Sequence, residues 1–251
     1  MVIYSHSRLS SFEQCPRKFK YRYIDKIPPE FKMSIEAHLG KSVHDTLEWI
    51  YNSILKNNPA PTIEQMINYY AENWSQNFTE NMKIVKNLTA KNYFNKGVKF
   101  LLDYYTKHQP FKDGTLECEK RILIDLEEHK IQGFIDRLVD NKETGEIEIH
   151  DYKTANSLPT QEKINQDRQL ALYSIAIKEL FGNDKKVCLI WHYLAHNKKI
   201  CSYRTDEQIE NLKDNIKELI KKIESTTEFP PKKSILCKWC EYQDMCNRCG
   251  C

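Results

Sequence analysis

"KIQGFIDRLVDNKETGEIEIHDYKTA", residues 130–155, decides the fold. Two runs suited to strands flank Asn141-Lys142-Glu143-Thr144-Gly145, a good hairpin turn. In Ile147-Glu148-Ile149 apolar and charged residues alternate, as in a strand with one buried face. That strand runs on into Asp151, Tyr152 and Lys153. Strand side chains alternate, so Asp151 and Lys153 share one face and Tyr152 points to the other. An acid and a lysine side by side at the end of a core strand need a reason. One is a surface ion pair, worth about 0–1 kcal/mol. The other is a site.

Asp136 stands on the preceding strand, in "GFIDRLV". If the two strands pair as a hairpin, their ends bring Asp136 and Asp151 together. Two carboxylates at one place repel and raise a pKa unless a cation neutralises them. Hard oxygen ligands favour Mg²⁺ or Mn²⁺. The plainer alternative for Asp136 is a pair with Arg137 or a turn contact. Gly133 would let another group approach the strand closely.

Outward from the hairpin, "TLECEKRILIDL" reads as a third strand. Residues 186–204 read as two more, joined near His196-Asn197. Helical pattern covers 35–56, 62–108, 162–181 and 206–224, and helix caps among Ser5, Ser7 and Ser10 open a segment running to 24. Helix, three strands, helix, strands and helix imply an α/β core with a mixed sheet. Residues 57–112 are expected to be a helical insertion in one domain spanning 1–251.

The clearest helix, 35–56, carries Ile35, Leu39, Val43, Leu47, Ile50 and Ile54 on one stripe. His44 lies roughly 115° from the middle of that stripe, so it flanks the core. Gly40 is one turn earlier on the same side; a helical Gly costs about 1 kcal/mol, which suggests close approach there. The plainer reading of His44 is a partly exposed surface histidine. Gln169 and Tyr173 share a face of the later helix, with Gln166 near them. They are either part of a site or an ordinary polar stripe.

The formal net charge is only +3, from 38 Lys and Arg against 35 Asp and Glu, so any nucleic-acid contact must be local. One such patch is 17–23, where Arg17, Lys18, Lys20 and Arg22 interleave with Phe19, Tyr21 and Tyr23. It suits single strands, whose bases stack on aromatics while cations track phosphates; the alternative is an amphipathic core helix with a solvated face. No apolar run approaches 18 residues, and the start lacks the features of a signal peptide. A cytoplasmic protein with no membrane span is expected.

There are 9 cysteines. In a cytosolic chain, metal ligands, reactive thiols or small core residues are commoner than disulfides. "CKWCEYQDMC" spaces Cys237, Cys240 and Cys246 as three ligands of a tetrahedral or cubane site and leaves one missing. Cys15, in "QCPRKF", is the natural fourth. Cys118, Cys188 and Cys201 fall on strands and read as small buried residues. Cys249 and Cys251, on the tail, are spare ligands or lie outside any site.

"SRLSSFEQCPRKF", "GKSVH", "GFIDRL", "HDYKT" and "QLALY", followed by the cysteine trio, occur in that order. The chain thereby resembles RecB-type nucleases of the PD-(D/E)XK superfamily that carry an iron–sulfur cluster, such as the AddB nuclease domain and the small CRISPR-associated RecB-like nucleases. The resemblance covers nearly everything except roughly 57–112. It implies a restriction-endonuclease-like core, a mixed central sheet flanked by helices, with a cysteine-rich cluster formed by the two chain ends: segment 230–251 joined by Cys15. It also implies the following roles. His44, Asp136 and Asp151 would bind Mg²⁺ or Mn²⁺, joined by the backbone carbonyl of Tyr152. Lys153 would orient or activate the attacking water. Gln169 and Tyr173 match the Q-x3-Y motif and would help place Lys153 and the DNA strand. Cys15, Cys237, Cys240 and Cys246 would hold a 4Fe–4S cluster, with zinc as the alternative. Ile135 replaces the proline of "PD", a replacement common in RecB-type members.

The function so implied is a metal-dependent DNA nuclease, an exonuclease favouring single-stranded ends, in DNA repair or recombination or in CRISPR spacer processing. Two alternatives stand beside it. One is a DNA-end-binding subunit of a larger complex, with a CRISPR integrase or a helicase as partner. The other is a zinc-stapled nucleic-acid binder without catalysis, against which the Asp-Asp-Lys set argues.

Overall fold

The hairpin forms as its pattern predicts. Asn141 closes the turn by accepting at its side-chain oxygen from the N–H groups of Glu143 and Thr144, and Gly145 takes the positive φ of 73°. The computed structural model describes residues 2–248. Cys249 and Cys251 lie outside the described residues.

Along the chain come β1 (Ile3–Ser5), α1 (His6–Gln14), α2 (Pro16–Phe19), α3 (Ile35–Leu55), α4 (Ile63–Asn77) and α5 (Ala90–His108). Then follow β2 (Thr115–Leu126), β3 (His129–Asn141), β4 (Glu146–Lys153), α6 (Gln161–Asn165) and α7 (Arg168–Phe181). β5 (Val187–Tyr193), β6 (Lys198–Ser202), α8 (Asp206–Ser225) and α9 (Gln243–Arg248) complete the order. Among the described residues, six strands make one mixed sheet flanked by helices, the α/β architecture expected from the sequence. No described helix is long and apolar enough to cross a membrane.

The topology builds a fork. β2 runs antiparallel along nearly all of β3 and occupies one of its edges. The other edge is shared. β1 lies parallel against residues 130–132, and β4 lies antiparallel against residues 137–141. Residues 133–136 of β3 therefore face a gap between two partners. β4 continues past the fork and is paired from Asp151 to Lys153 with parallel β5. A side chain at Asp136 thus looks into space that a regular ladder would have closed.

Each sheet face buries its own core. Ile131, Ile135, Ile147 and Ile149 pack under α1, α7 and α8, with Leu9, Leu172 and Ile216. On the other face Tyr152 packs with α3, α4 and α5, with Val43, Tyr70 and Leu101. In α3 the apolar stripe is buried from Ile35 to Ile50, with Ile54 half-buried at the helix end, and the Ser34 hydroxyl caps the helix by accepting from Ala37 N–H. α4 and α5, from the expected insertion, both supply this second core.

Several expectations are corrected. β1 was not anticipated, because three residues are too short to carry a period. The helix expected at 162–181 breaks into α6 and α7, since the Asp167 carboxylate accepts from Gln169 and Leu170 N–H and starts a new helix. Gln166 therefore caps α6 and does not share a face with Gln169 and Tyr173. Cys201 is exposed, because β6 is the sheet edge; Cys188 is buried and Cys118 half-buried. The basic–aromatic run at 17–23 follows its core alternative. Phe19 is buried against Phe12, Tyr23 and Phe229, and Lys18 and Arg22 pair with Glu241. The run docks the C-terminal segment.

Candidate active site

At the fork, Arg137 pairs in register with His150, so Asp136 and Asp151 would come next if the ladder continued. It does not; the Asp136 carboxylate bridges the splayed strands by accepting from Tyr152 N–H at 2.9 Å. α3 brings His44 against the same point. Its Nε2 is 2.7 Å from the Tyr152 carbonyl oxygen and its Nδ1 is 3.3 Å from Asp136 Oδ2. The helix side of α3 that carries His44 is held close to the strand end, and a Cβ on Gly40 would stand 3.4 Å from Thr154 Oγ1.

Asp151 and Lys153 share a face, as the strand alternation predicts. Lys153 Nζ donates to Asp151 Oδ1 at 2.9 Å and to Gln169 Oε1 at 3.1 Å. Asp151 Oδ2 is buried and lacks a hydrogen bond of acceptable geometry, although the ammonium is 2.8 Å away. Burial pulls the Lys153 pKa down, but the charge of Asp151, joined by Asp136 and Asp167, more than offsets this and raises it. Lys153 is therefore a cation here. Tyr173, one turn beyond Gln169 on α7, lies against Gly133, where a Cβ would meet its ring at 2.2 Å. Gly133 is thus the close approach that its place in the strand suggested.

Two groups were missed. Glu119 on β2 takes a positive φ of 48°, and one oxygen of Glu119, one of Asp136 and a ring nitrogen of His44 lie within 4.8 Å of one another. Burial, then the charges of Asp136 and Glu48, push the Glu119 pKa up to about 7. Burial raises Asp136 to about 6, with His44 pulling it back and Asp151 adding to the rise. Glu119 alternates with Glu117 and Arg121 like any exposed strand position, so the sequence carried no sign of it. His6, at the start of α1, is the second. Burial, then Arg168 and Lys153, lower its pKa to about 4.

The site residues fit a hard divalent cation. The carboxylates of Asp136 and Glu119, the His44 imidazole and the Tyr152 main-chain carbonyl converge, while Asp151 lies outside that group and is ion-paired with Lys153.

Arg137 does not pair with Asp136. It points to the other face and anchors the opposite side of Tyr152. Its Nε donates to the Tyr152 hydroxyl at 2.9 Å, its Nη1 to Asp113 at 2.5 Å, and its guanidinium lies 4.2 Å from the centre of the Tyr51 ring. Its Nη2 is 2.7 Å from Nδ1 of His150, whose Nε2 is 2.8 Å from Glu148. Burial, then Arg137, keeps His150 far below its ordinary pKa; it is neutral and accepts from the guanidinium. This buried network fixes the residue whose carbonyl faces His44.

Cys15, Cys237, Cys240 and Cys246 line one cavity of about 350 Å³, although more than 220 residues separate Cys15 from the trio. Lys232 N–H points to Cys15 Sγ at 3.5 Å and Ser234 N–H to Cys237 Sγ at 3.4 Å. Glu30 accepts from the N–H groups of Asp244 and Met245, and Tyr242 donates to the Ile27 carbonyl. The two ends of the chain are laced together around the sulfurs.

Two aspartates and a lysine thus stand at the fork of the mixed sheet. The family model of the PD-(D/E)XK nuclease superfamily matches residues 3–247, and the chain belongs to that superfamily. Its members are nucleases acting on DNA with divalent metals. Among solved structures, one from Eubacterium rectale described as a "Putative exonuclease" is similar at a TM-score of 0.54 and 13% identity, covering 96% of this chain and 87% of that one. A second, SSO0001, is similar at a TM-score of 0.43 and 14% identity, covering 96% and 84%. No curated protein matches the chain.

Proposed function

We propose that this protein is a Mg²⁺- or Mn²⁺-dependent deoxyribonuclease, an exonuclease acting on single-stranded DNA ends, built as one domain with residues 57–112 inserted. The observation that carries the reading is the fork. It lets Asp136 reach the Tyr152 N–H, sets His44 against Asp136 and the Tyr152 carbonyl, and ends β4 on the Asp151–Lys153 pair, which supports this reading. The description of the Eubacterium rectale relative supports the exonuclease mode.

His44, Asp136, Asp151 and the Tyr152 carbonyl would hold the cation, with Glu119 as a further carboxylate. When bound, the cation lowers the pKa of a bound water and offsets charge on the phosphate in the transition state. Lys153, charged and steered by Asp151 and Gln169, orients the attacking water and sets a positive charge beside the phosphate oxygens. Tyr173 keeps Gln169 in place from below. The Arg137 network holds the Tyr152 carbonyl still.

The same reading places a 4Fe–4S cluster on Cys15, Cys237, Cys240 and Cys246. A cavity of about 350 Å³ bounded by all four suits a cubane better than one zinc ion, which four thiolates would enclose directly. The main-chain donors to two of the sulfurs suit thiolate ligands. The cluster would staple the chain ends, its binding energy counting as folding energy.

The test is cleavage of end-labelled single- and double-stranded DNA with Mg²⁺ or Mn²⁺, next to iron and sulfide analysis of anaerobically purified protein. Stepwise shortening of single strands that stops in EDTA is expected. Activity that persists in excess EDTA rules out the metal site.

A further inference from the structure

Beside the fork lies a second cavity, of about 530 Å³, that the chemistry above does not use. Its wall joins three distant segments: the first turn of α3, the first half of α5 with the chain before it, and residues 154–157 directly after the Lys153 strand. The cysteine-bearing segment adds Trp239, from the turn between Cys237 and Cys240.

The lining has the composition of a nucleotide subsite. Among the described residues, the half-buried indole of Trp239 stacks on no other ring and donates no hydrogen bond. Lys86 and Lys96 make no ion pair among the described residues, and Lys96 Nζ lies 5.2 Å from the centre of the Tyr93 ring. Glu36 accepts from the Tyr93 hydroxyl at 2.8 Å with one oxygen, and its other oxygen has no partner. An unstacked indole and two ammoniums without ion pairs around a space of this size suit one base and its phosphates.

The position relative to the fork is set by α3. Glu36, Gly40 and His44 follow one another at four-residue steps on one side of the helix. At the helical rise, Glu36 is about 12 Å from His44 along the axis. Gly40, between them, presents no side chain, and Thr154 closes against it. A strand leaving the metal site along this line has only about 12 Å to cover before it reaches the cavity.

We infer that this cavity binds a nucleotide of single-stranded DNA flanking the scissile phosphate, with Trp239 as the stacking platform and Lys86 and Lys96 as phosphate contacts. The inference rests on the nuclease reading above and adds to it a substrate role for the cysteine-bearing segment. Holding Cys237 and Cys240 fixes Trp239 between them, so the segment shapes the substrate track as well as closing the chain ends.

The test uses full-length protein with its metal cluster intact, in an Asp151→Asn background that does not cut. Binding of a short dye-labelled single-stranded oligonucleotide is followed by fluorescence anisotropy over a range of salt. Trp239→Leu should weaken binding about 5- to 150-fold, the loss expected for one stacked base. Trp239→Phe should restore most of it. Lys86→Gln and Lys96→Gln should each lower the salt slope by about 0.7. Iron content and melting temperature, read on every variant, separate loss of the platform from loss of the fold. If Trp239→Leu disturbs the fold, the lysine slopes and the Phe variant decide. Equal binding by the Leu and Phe variants, or unchanged slopes in both lysine variants, overturns the inference while cleavage by the unmutated protein leaves the nuclease reading standing. An unmutated protein that neither binds nor cuts single strands removes that reading first.

Discussion

Gly133→Ala is the sharpest test of how the fold supports the site. The new Cβ would stand 2.2, 2.7 and 2.9 Å from three atoms of the Tyr173 ring and hydroxyl. Ordinary carbon contact begins near 3.5 Å, so the ring must retreat by about 1 Å. Tyr173 is buried on α7 against the sheet and has no free direction. Overpacking of this kind costs about 1–3 kcal/mol. For a chain of this length that lowers the melting temperature by roughly 2–12 °C. The larger effect should be on turnover. Tyr173 bonds Gln169, and Gln169 accepts from Lys153, so the displacement reaches the ammonium. A misplacement of about 1 Å at such a point costs up to roughly 100-fold in rate. Thermal melting and single-turnover cleavage on the same preparation measure both effects. The Gly133→Ala/Tyr173→Ala double variant should lose less stability than the sum of the two single variants, because the two residues are coupled. Additive stabilities, or a Gly133→Ala protein with unchanged turnover, would refute the chain from Gly133 through Tyr173 to Lys153.

Lys153→Ala should abolish cleavage and lower the melting temperature by leaving the buried Asp151 carboxylate without its cation; unchanged turnover in a cleavage assay sinks the proposed site. Asp136 and Glu119 bind protons more tightly in the fold, at about 6 and 7, than at their ordinary values of 3.8 and 4.5. Their contribution to the metal-free protein is therefore full below about 4 and is lost as pH rises through 6 and 7. The melting temperature in EDTA should fall over that range, and the gain on adding Mn²⁺ should widen, since the cation takes the ionised forms. Cys15→Ser should remove as much iron and visible absorbance as Cys240→Ser and lower the melting temperature, because either opens a very long loop; full iron retention in Cys15→Ser would refute the shared site. Arg137→Met should cost about 1–3 kcal/mol by removing the buried guanidinium's bonds to the Tyr152 hydroxyl and His150, measured by denaturant unfolding.

The sequence by itself determined the local parts. Period-two alternation and the Asn141–Gly145 turn specified the hairpin, and the stripe from Ile35 to Ile50 specified α3, because both signals lie within one element. Asp151 and Lys153 were legible for the same reason: strand alternation alone puts them on one face. The spacing of Cys237, Cys240 and Cys246 was equally local, and it pointed to a missing ligand. Only the tertiary structure decided what meets across elements. β1 and β4 share one edge of β3, and that division opens the fork where Asp136 turns to Tyr152. Glu119 enters the site because β2 lies on the other edge of β3 and kinks there; its sequence neighbourhood is that of any exposed strand. Arg137 turns away from Asp136 because His150, Tyr152 and Asp113 satisfy its guanidinium on the opposite face. The aromatic run at 17–23 looked like a stacking surface until the C-terminal segment was laid over it, since burial depends on a partner more than 200 residues away. Periodicity records which side of an element is apolar, but which element covers that side is set by packing between segments far apart in the chain.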